Sequence, residues 1–365
     1  MDTKKLNFIE ASFLIIIVMI THIISDLPND IIVNCSSASI LNVVFIIVLA
    51  IILFLIVNKL FSPFKNQDIL NVAEYIGGNF LKRFLSIVYI LYLIFASSIL
   101  IRGFAETLKL IYFPNVNNTT IIISFILVAL LANKFSSNSI IKANTIILPQ
   151  ILISILMVFI SSINSFNYNA IFPILGNGVK ETFLYGSKNI YAFAGLLFIF
   201  LIRPCLKNVN DFKKVGLISI IISGLYLLFS VSSILMLFPY QLSGKETLSM
   251  YFSTRTVEFG RFLQRSDALF MFVWIFTFLS YLSVIFYYLN RISKNRLNLS
   301  NKNNYQLYFF ALLIFIVAMI PKNFLQISFI NHYIYKYVAL IVVFFISFSI
   351  LLIAYIKKRR SAKWK

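Results

Sequence analysis

Residues 7–33 read NFIEASFLIIIVMITHIISDLPNDIIV. The run from Phe8 is apolar with no strand-like alternation, and roughly 20 such residues cross a bilayer as a helix. Only helices and closed barrels satisfy their backbone groups in hydrocarbon. Well along the run, Thr21-His22-Ile23-Ile24-Ser25-Asp26-Leu27-Pro28 interposes polar residues and a proline. That pattern predicts an interrupted helix. Free N–H and C=O groups at membrane depth are tolerated only where they line a cavity enclosed by protein. This stretch therefore predicts a helical membrane protein with a polar site at a helix break.

Nine further apolar stretches follow, at roughly 39–61, 80–112, 119–133, 140–162, 184–203, 213–238, 264–290, 305–320 and 332–356. The chain is 60% hydrophobic and 12% charged, so no soluble domain is long enough to fold alone. The expected fold class is all-α and polytopic, with ten transmembrane helices in one domain covering 1–365. Short cytoplasmic loops carry the excess of Lys and Arg. With both termini cytoplasmic, 22 of the 32 basic residues fall on the inner side. Lys336 is counted with the outer connections and His332 with the outer interface. The formal charge of +20 then needs no nucleic acid, because anionic lipid at the cytoplasmic face accounts for it. The tail 357–365 reads as a topology anchor.

Ten spans divide into halves of five, about 7–162 and 184–356, which is the arrangement of inverted-repeat transporters with broken first helices. The second break is expected at Tyr191-Ala192-Phe193-Ala194-Gly195, approached through Pro173, Gly176, Gly178 and Gly186. Of the longer polar segments, 62–79 reads as a short amphipathic helix on the inner surface, ending near Gly77-Gly78. The segment 239–263 reads as an outer lid or loop helix. The N-terminal run continues past Asp26 without a small-residue cleavage site, so an uncleaved first helix is expected. Cys35 and Cys205 fall on opposite sides and cannot pair. No metal ligand set and no cofactor is read.

Ionisable groups at membrane depth are functional candidates by default. Arg102 and Glu106, four apart in span three, are placed to pair. They form either a self-neutralising pair at the outer interface or a charged lip over a substrate path. Tyr89, Tyr92, Ala96, Ile99 and Gly103 recur on one face, through packing of small residues or as hydroxyls lining a cavity. His22 sits beside the first break, as a satisfied interior residue or a proton-handling one. Asp26 and Asp30 are placed at the outer surface. Asp267 opens span eight as a helix-start carboxylate or a gate. Below it, Trp274 and Thr277 are expected to face the bundle. With helices one and six broken, half-helix N-termini would hold a ligand carboxylate. The candidate ligand-binding set is Thr21, His22, Ser25, Tyr92, Tyr191, Ala192, Phe193, Ala194, Gly195, Trp274 and Thr277; the candidate gate residues are Arg102, Glu106 and Asp267.

Several segments together carry a family resemblance: Asn7-Phe8-Ile9-Glu10-Ala11, Leu27-Pro28, Phe64 with Asp68-Ile69, Gly77-Gly78, and Arg102-Gly103-Phe104-Ala105-Glu106. Two more are Phe172-Pro173-Ile174-Leu175-Gly176-Asn177-Gly178 and Arg261-Phe262-Leu263-Gln264-Arg265-Ser266-Asp267, leading to Trp274. In this order and spacing the chain resembles the spore germination permeases, the B subunits of nutrient germinant receptors, within the amino acid–polyamine–organocation transporter superfamily. The resemblance implies the five-plus-five inverted repeat with broken helices one and six, and residence in the spore inner membrane. It implies an A subunit and a C lipoprotein as partners beside membrane lipids. It also implies a small nutrient ligand, usually an amino acid, whose binding triggers germination. The chain departs from the pattern at Gly195-Leu196-Leu197, where relatives are expected to carry a polar residue. It departs again at Thr21-His22, where a glycine-containing break is common.

Two alternatives are weighed. An active proton-coupled amino acid permease would need intramembrane carboxylates or a central lysine. Few such groups are read, since Lys142 falls at the inner end of span five. A membrane acyltransferase would need a base with positioned arginines, and His22 has no arginine in the first two spans. The reading adopted is a non-enzymatic receptor subunit.

Overall fold

The computed structural model describes residues 5–25, 27–135, 137–238, 251, 266–296 and 305–363; at 135–138, 266–269, 295–296 and 361–363 it describes backbone alone. The expected loop helix in 239–263, and Asp26, lie outside the described residues. The first expected span is two helices, α1 (Phe8–Ile24) and α2 (Leu27–Cys35). Every residue from Leu14 to Ile24 is buried. A helix apolar on all sides belongs in the middle of a bundle, and α1 packs on three neighbours, α6, α9 and α10, defined below. The Asn7 N–H donates to the Glu10 carboxylate at 2.9 Å and starts α1. Thr21 Oγ1 donates to the Ile17 carbonyl at 2.6 Å and Ser25 Oγ to the Thr21 carbonyl at 3.0 Å, occupying acceptors in the last turns. Pro28 fits in the first turn of α2, where no N–H is needed.

After a short turn at Ser36–Ala38, α3 (Ser39–Phe61) runs back. α4 (Ile69–Ile111) is two helices joined at a kink, with Gly77 at φ −129° and Gly78 at φ +65°. Its first part is the short helix expected from 62–79. The Asp68 side chain caps it, accepting from the Asn71 N–H at 2.9 Å. The bundle continues with α5 (Asn118–Phe135) and α6 (Ser137–Ser162). The expected sixth span is a bent pair, α7 (Lys180–Phe193) and α8 (Leu196–Cys205), with 47° between them. α9 (Phe212–Leu237), α10 (Ser266–Arg296) and α11 (Tyr305–Ala318) follow. The last helix, α12 (Phe324–Arg360), begins before the expected residue 332. Asn323 starts it, its side chain accepting from the Gln326 N–H at 3.0 Å.

Six helical stretches among the described residues are long and apolar enough to cross a membrane, or seven if the bent pair is one span. Phe8–Ile24, Asn118–Lys134 and Tyr305–Ala318 are shorter apolar helices. All ten expected stretches are thus helical, while ten crossings is the expectation rather than the measured count. The protein is an integral membrane protein of packed helices.

Both termini lie at one end of the bundle. Leu6 pairs with the chain after α8: the Leu6 N–H donates to the Cys205 carbonyl at 2.7 Å, and the Lys207 N–H to the Leu6 carbonyl at 2.9 Å. Near the other terminus, Lys357 Nζ donates to the Tyr75 and Ile76 carbonyls at 3.2 Å each. A cation at the C-terminal carbonyls of that short helix is favourable. Lys358 stands 4.4 Å from the Phe64 ring centre and donates to the Pro63 carbonyl.

Close crossing of α9 and α3 depends on glycine. A Cβ at Gly216 would overlap the Phe54 ring, and one at Gly224 would lie 2.7 Å from Ile47 Cγ1. Overpacking of this kind costs about 1–3 kcal/mol. Gly216→Val is expected to lower thermal stability of the purified protein by that amount. Adding Phe54→Leu should return part of the loss, and strict additivity of the two changes would contradict the contact.

Candidate functional site

The two broken helices pack against each other. Gly195, at the α7–α8 bend, faces α1 so closely that a Cβ there would lie 2.6 Å from Met19 Cγ. Beside this crossing is a small cavity of about 20 Å³. Its walls include His22 and Ser25 at the end of α1, Leu27 and Asp30 of α2, Tyr191 of α7 and Tyr335 of α12. That volume admits about one water. A second cavity of about 300 Å³ lies between α3, α8 and α12, lined by apolar side chains such as Leu53, Val57, Ile199, Phe200 and Phe344. It offers no polar group to orient a nutrient.

The small cavity is built from aromatic and polar groups of four helices. The His22 ring stacks on Tyr335, with centroids 5.2 Å apart, and meets Tyr281 of α10 edge-on at 5.7 Å. Tyr335 OH lies 3.3 Å from His22 Nε2 and 3.4 Å from Tyr92 OH. This chain of polar atoms links α1, α12 and α4. Tyr335 lies in a π-helical turn, Ile330–Tyr335, a local widening that re-aims side chains and is frequent at functional sites. Above it, Tyr191 OH donates to Asp30 Oδ2 at 2.7 Å, and His332 Nδ1 lies 3.0 Å from Asp30 Oδ1.

Three placements differ from those read in the sequence. Asp30 is not at the surface; its side chain is 16% exposed and sits between Tyr191 and His332. His332 is not merely interfacial, because it holds that carboxylate. Lys336 is not in an outer loop. Helix α12 starts at Phe324, so Lys336 lies inside it, buried, donating to Asn189 Oδ1 at 3.2 Å. Asn189 is also the hub of an amide cluster, donating to Asn42 Oδ1 at 2.9 Å and accepting from Asn34 Nδ2 at 3.3 Å. The bundle therefore does contain a buried lysine. His332, Tyr335 and Lys336, at three- and four-residue spacing, share a helix face; that spacing was the available signal.

Of the candidate ligand-binding residues, His22, Ser25 and Tyr191 line the cavity. Thr21, Tyr92, Ala192, Phe193, Ala194 and Gly195 are buried or, in the case of Gly195, wedged at the crossing around it. Trp274 and Thr277 are not on its wall. Trp274 packs on Phe104 and Phe270, with ring centres 5.3 and 5.9 Å apart. Thr277 Oγ1 is spent on the Val273 carbonyl at 2.8 Å. Asp267 falls in the first turn of α10, and its side chain lies outside what the structure describes. Arg102 and Glu106 pair at 2.7 Å, their side chains 5% and 12% exposed. Glu106 also accepts from Asn118 Nδ2 at 2.7 Å, and Arg102 reaches the Lys322 carbonyl at 3.4 Å. The pair clasps α4 to the start of α5 and to the α11–α12 turn; it does not border the cavity.

Residues 5–327 match the family model described as spore germination protein. The chain belongs to the spore germination protein family. Among its relatives is spore germination protein B2 of Bacillus subtilis (strain 168), 24% identical over 179 residues, which are 48% of this chain and 49% of that protein. Spore germination protein KB of the same organism is 22% identical over 229 residues, 61% of each chain. The match thus spans about half of the first relative and about three-fifths of the second. Among solved structures, a Na+-coupled sialic acid symporter in a substrate-bound outward-open state superposes with TM-score 0.60 at 12% identity, covering 93% of this chain and 79% of that one. That likeness is one of fold, a transporter-type helical bundle. Family and fold together place the chain among spore germination proteins built on a transporter-type helical bundle.

Breaking a buried ion pair from one side costs about 3–5 kcal/mol, whereas replacing both partners costs far less. Arg102→Met is expected to destabilise the protein by that amount, and Arg102→Met with Glu106→Gln to recover most of it. Thermal unfolding in detergent measures both; equal losses in the single and double variants would contradict the clasp.

Proposed function

We propose that this member of the family is the B subunit of a spore nutrient germinant receptor. In this reading it resides in the spore inner membrane with both termini cytoplasmic, and it works with an A subunit and a C lipoprotein. The ligand is a small nutrient of the amino acid class, and its binding at the two helix breaks triggers germination. The halves 7–162 and 184–356 are taken as the inverted repeats.

The observation that carries the reading is the meeting of two interrupted helices at a polar cavity inside an apolar bundle. At about 20 Å³ that cavity holds a water but no amino acid. Ligand entry therefore requires Tyr191 and Tyr335 to move, and the ligand favours the opened arrangement by its differential affinity for it. A closed state that a nutrient opens is what a sensor needs. An active proton-coupled permease is the second reading. Buried Lys336 and the nearby Asp30 favour it, because charged groups inside the bundle are of the kind that couple ion movement to transport.

Substitution of Gly195 or Ala194 by Leu is expected to abolish or retune the germination response of spores while leaving the subunit at its normal level. An unchanged response across both variants places the pocket elsewhere. Uptake of labelled amino acids into proteoliposomes separates the two readings: concentrative, proton-gradient-dependent uptake by the lone subunit decides for the permease.

A further inference from the structure

Lys336 is 5% exposed within α12. Its ammonium has three N–H donors and among the described residues makes one hydrogen bond, to the neutral Asn189 Oδ1 at 3.2 Å. It also lies over the Tyr191 ring, 5.5 Å from Nζ to the centroid. Among the described residues no carboxylate stands within ion-pair distance of it; Glu74, Glu106 and Asp211 are paired with other cations, and Asp30 with the His332 ring. Asn189 cannot supply the missing charge, and its own amide is committed to Asn42 and Cys35. Lys188, one turn before Tyr191 in α7 and 3.5 Å from Tyr337 OH, adds to the local positive potential. A buried cation without a counter-charge is costly unless an anion completes the site.

Asp30 is an acid that shares Tyr191 with Lys336: its carboxylate accepts from the Tyr191 hydroxyl, while the Lys336 ammonium lies over the ring. Tyr191 thus contacts both an acid and an ammonium, which attract each other. The bend at Gly195 is a poor alternative for a ligand carboxylate, because Met19 already fills the space a Cβ would take there. The last turns of α1 are closed by Thr21 and Ser25.

We propose that Lys336 receives the carboxylate of a zwitterionic amino acid and Asp30 its ammonium, the ligand bridging them as Tyr191 and Tyr335 swing aside. This rests on the nutrient-pocket reading above. It moves the carboxylate from the backbone dipoles of the broken helices to a side chain of α12. It also makes the ligand a substitute for the contact that Tyr191 and His332 make with Asp30. Tyr335, adjacent to Lys336 and on the cavity wall, is the group whose movement opens the space between the cavity and the ammonium.

The test uses the full chain in lipid nanodiscs and measures binding of each proteinogenic amino acid, its carboxamide and its N-acetyl derivative. Wild type is expected to favour at least one amino acid over its carboxamide by about tenfold or more, the scale of a hydrogen-bonded charge contact. Lys336→Met should abolish that preference, and Lys336→Arg should retain part of it. Asp30→Asn should instead abolish the preference for the free amino acid over its N-acetyl derivative. Asp30→Asn keeps the proposal testable if Lys336→Met does not fold. A carboxylate preference unchanged in Lys336→Met, or an amine preference unchanged in Asp30→Asn, overturns the proposal and leaves the pocket standing. If wild type binds no amino acid, the nutrient reading falls and this proposal with it.

Discussion

An interrupted helix in hydrocarbon must find partners for the backbone groups it frees, and that requirement organises this bundle. Each unmade hydrogen bond there costs several kcal/mol. The first break meets part of the demand with a side chain: Ser25 donates to the Thr21 carbonyl in the last turn of α1. The second break meets it with tight backbone turns: the Ala194, Leu197 and Phe198 N–H groups donate to the Tyr191, Ala194 and Gly195 carbonyls at 2.9, 3.1 and 3.1 Å. Gly195 also lets this bend approach Met19 of α1. Residues around the two breaks, such as His22, Tyr191 and Tyr335, are aromatic with polar atoms, which places hydrogen-bonding groups within apolar packing.

The broken helices are also held at both ends. At the end bearing the termini, Leu6 just before α1 pairs with Cys205 and Lys207 after α8. Arg203 at the end of α8 reaches the Phe61 and Phe64 carbonyls at 2.5 and 3.1 Å and lies 5.1 Å from the centres of the Phe61 and Phe212 rings. At the opposite end α2, α7 and α12 are joined by Asp30 with Tyr191 and His332. The clasp of Arg102 and Glu106 fixes α4 independently. The first set uses backbone and a desolvated guanidinium, which part with difficulty. The second uses one carboxylate with neutral or weakly basic partners, which a charged ligand can displace. Interfaces of packed helices switch between discrete arrangements, so on the proposed reading the Asp30 end is where movement is expected.

What was legible in the sequence is what local pattern dictates. Apolar length marked the helices, Gly77-Gly78 marked the kink, and the four-residue spacing of Arg102 and Glu106 marked their pair. The positions of both breaks were also readable, since proline and small residues act within a turn or two. The contacts that define the cavity were not, because they join residues hundreds of positions apart. Nothing near Asp30 in sequence announces His332, and nothing near Asn42 announces Asn189 and Lys336. One boundary error had large consequences. Placing the start of the last span at 332 instead of Phe324 put His332 at the outer interface and Lys336 with the outer connections. The cap formed by Asn323 and Gln326 is the feature that sets that start.

Lys336 bears directly on the choice between sensing and transport. The sequence pattern offers no lysine deep in a span, which speaks against ion coupling. Lys336 and Asp30, sharing Tyr191, supply two opposite charges that are close enough to interact and too constrained to neutralise each other. A transporter would use such a pair to exchange a proton or cation for substrate in each cycle. A receptor would use it once per event, storing unfavourable electrostatics in the closed state and releasing them when a zwitterion completes the circuit. In the second case the ligand's differential affinity comes from relief of that unpaired charge. The strength of the signal then depends on how completely the closed bundle excludes water from Lys336, and hence on the packing of Tyr191, Tyr335 and the amide cluster around it.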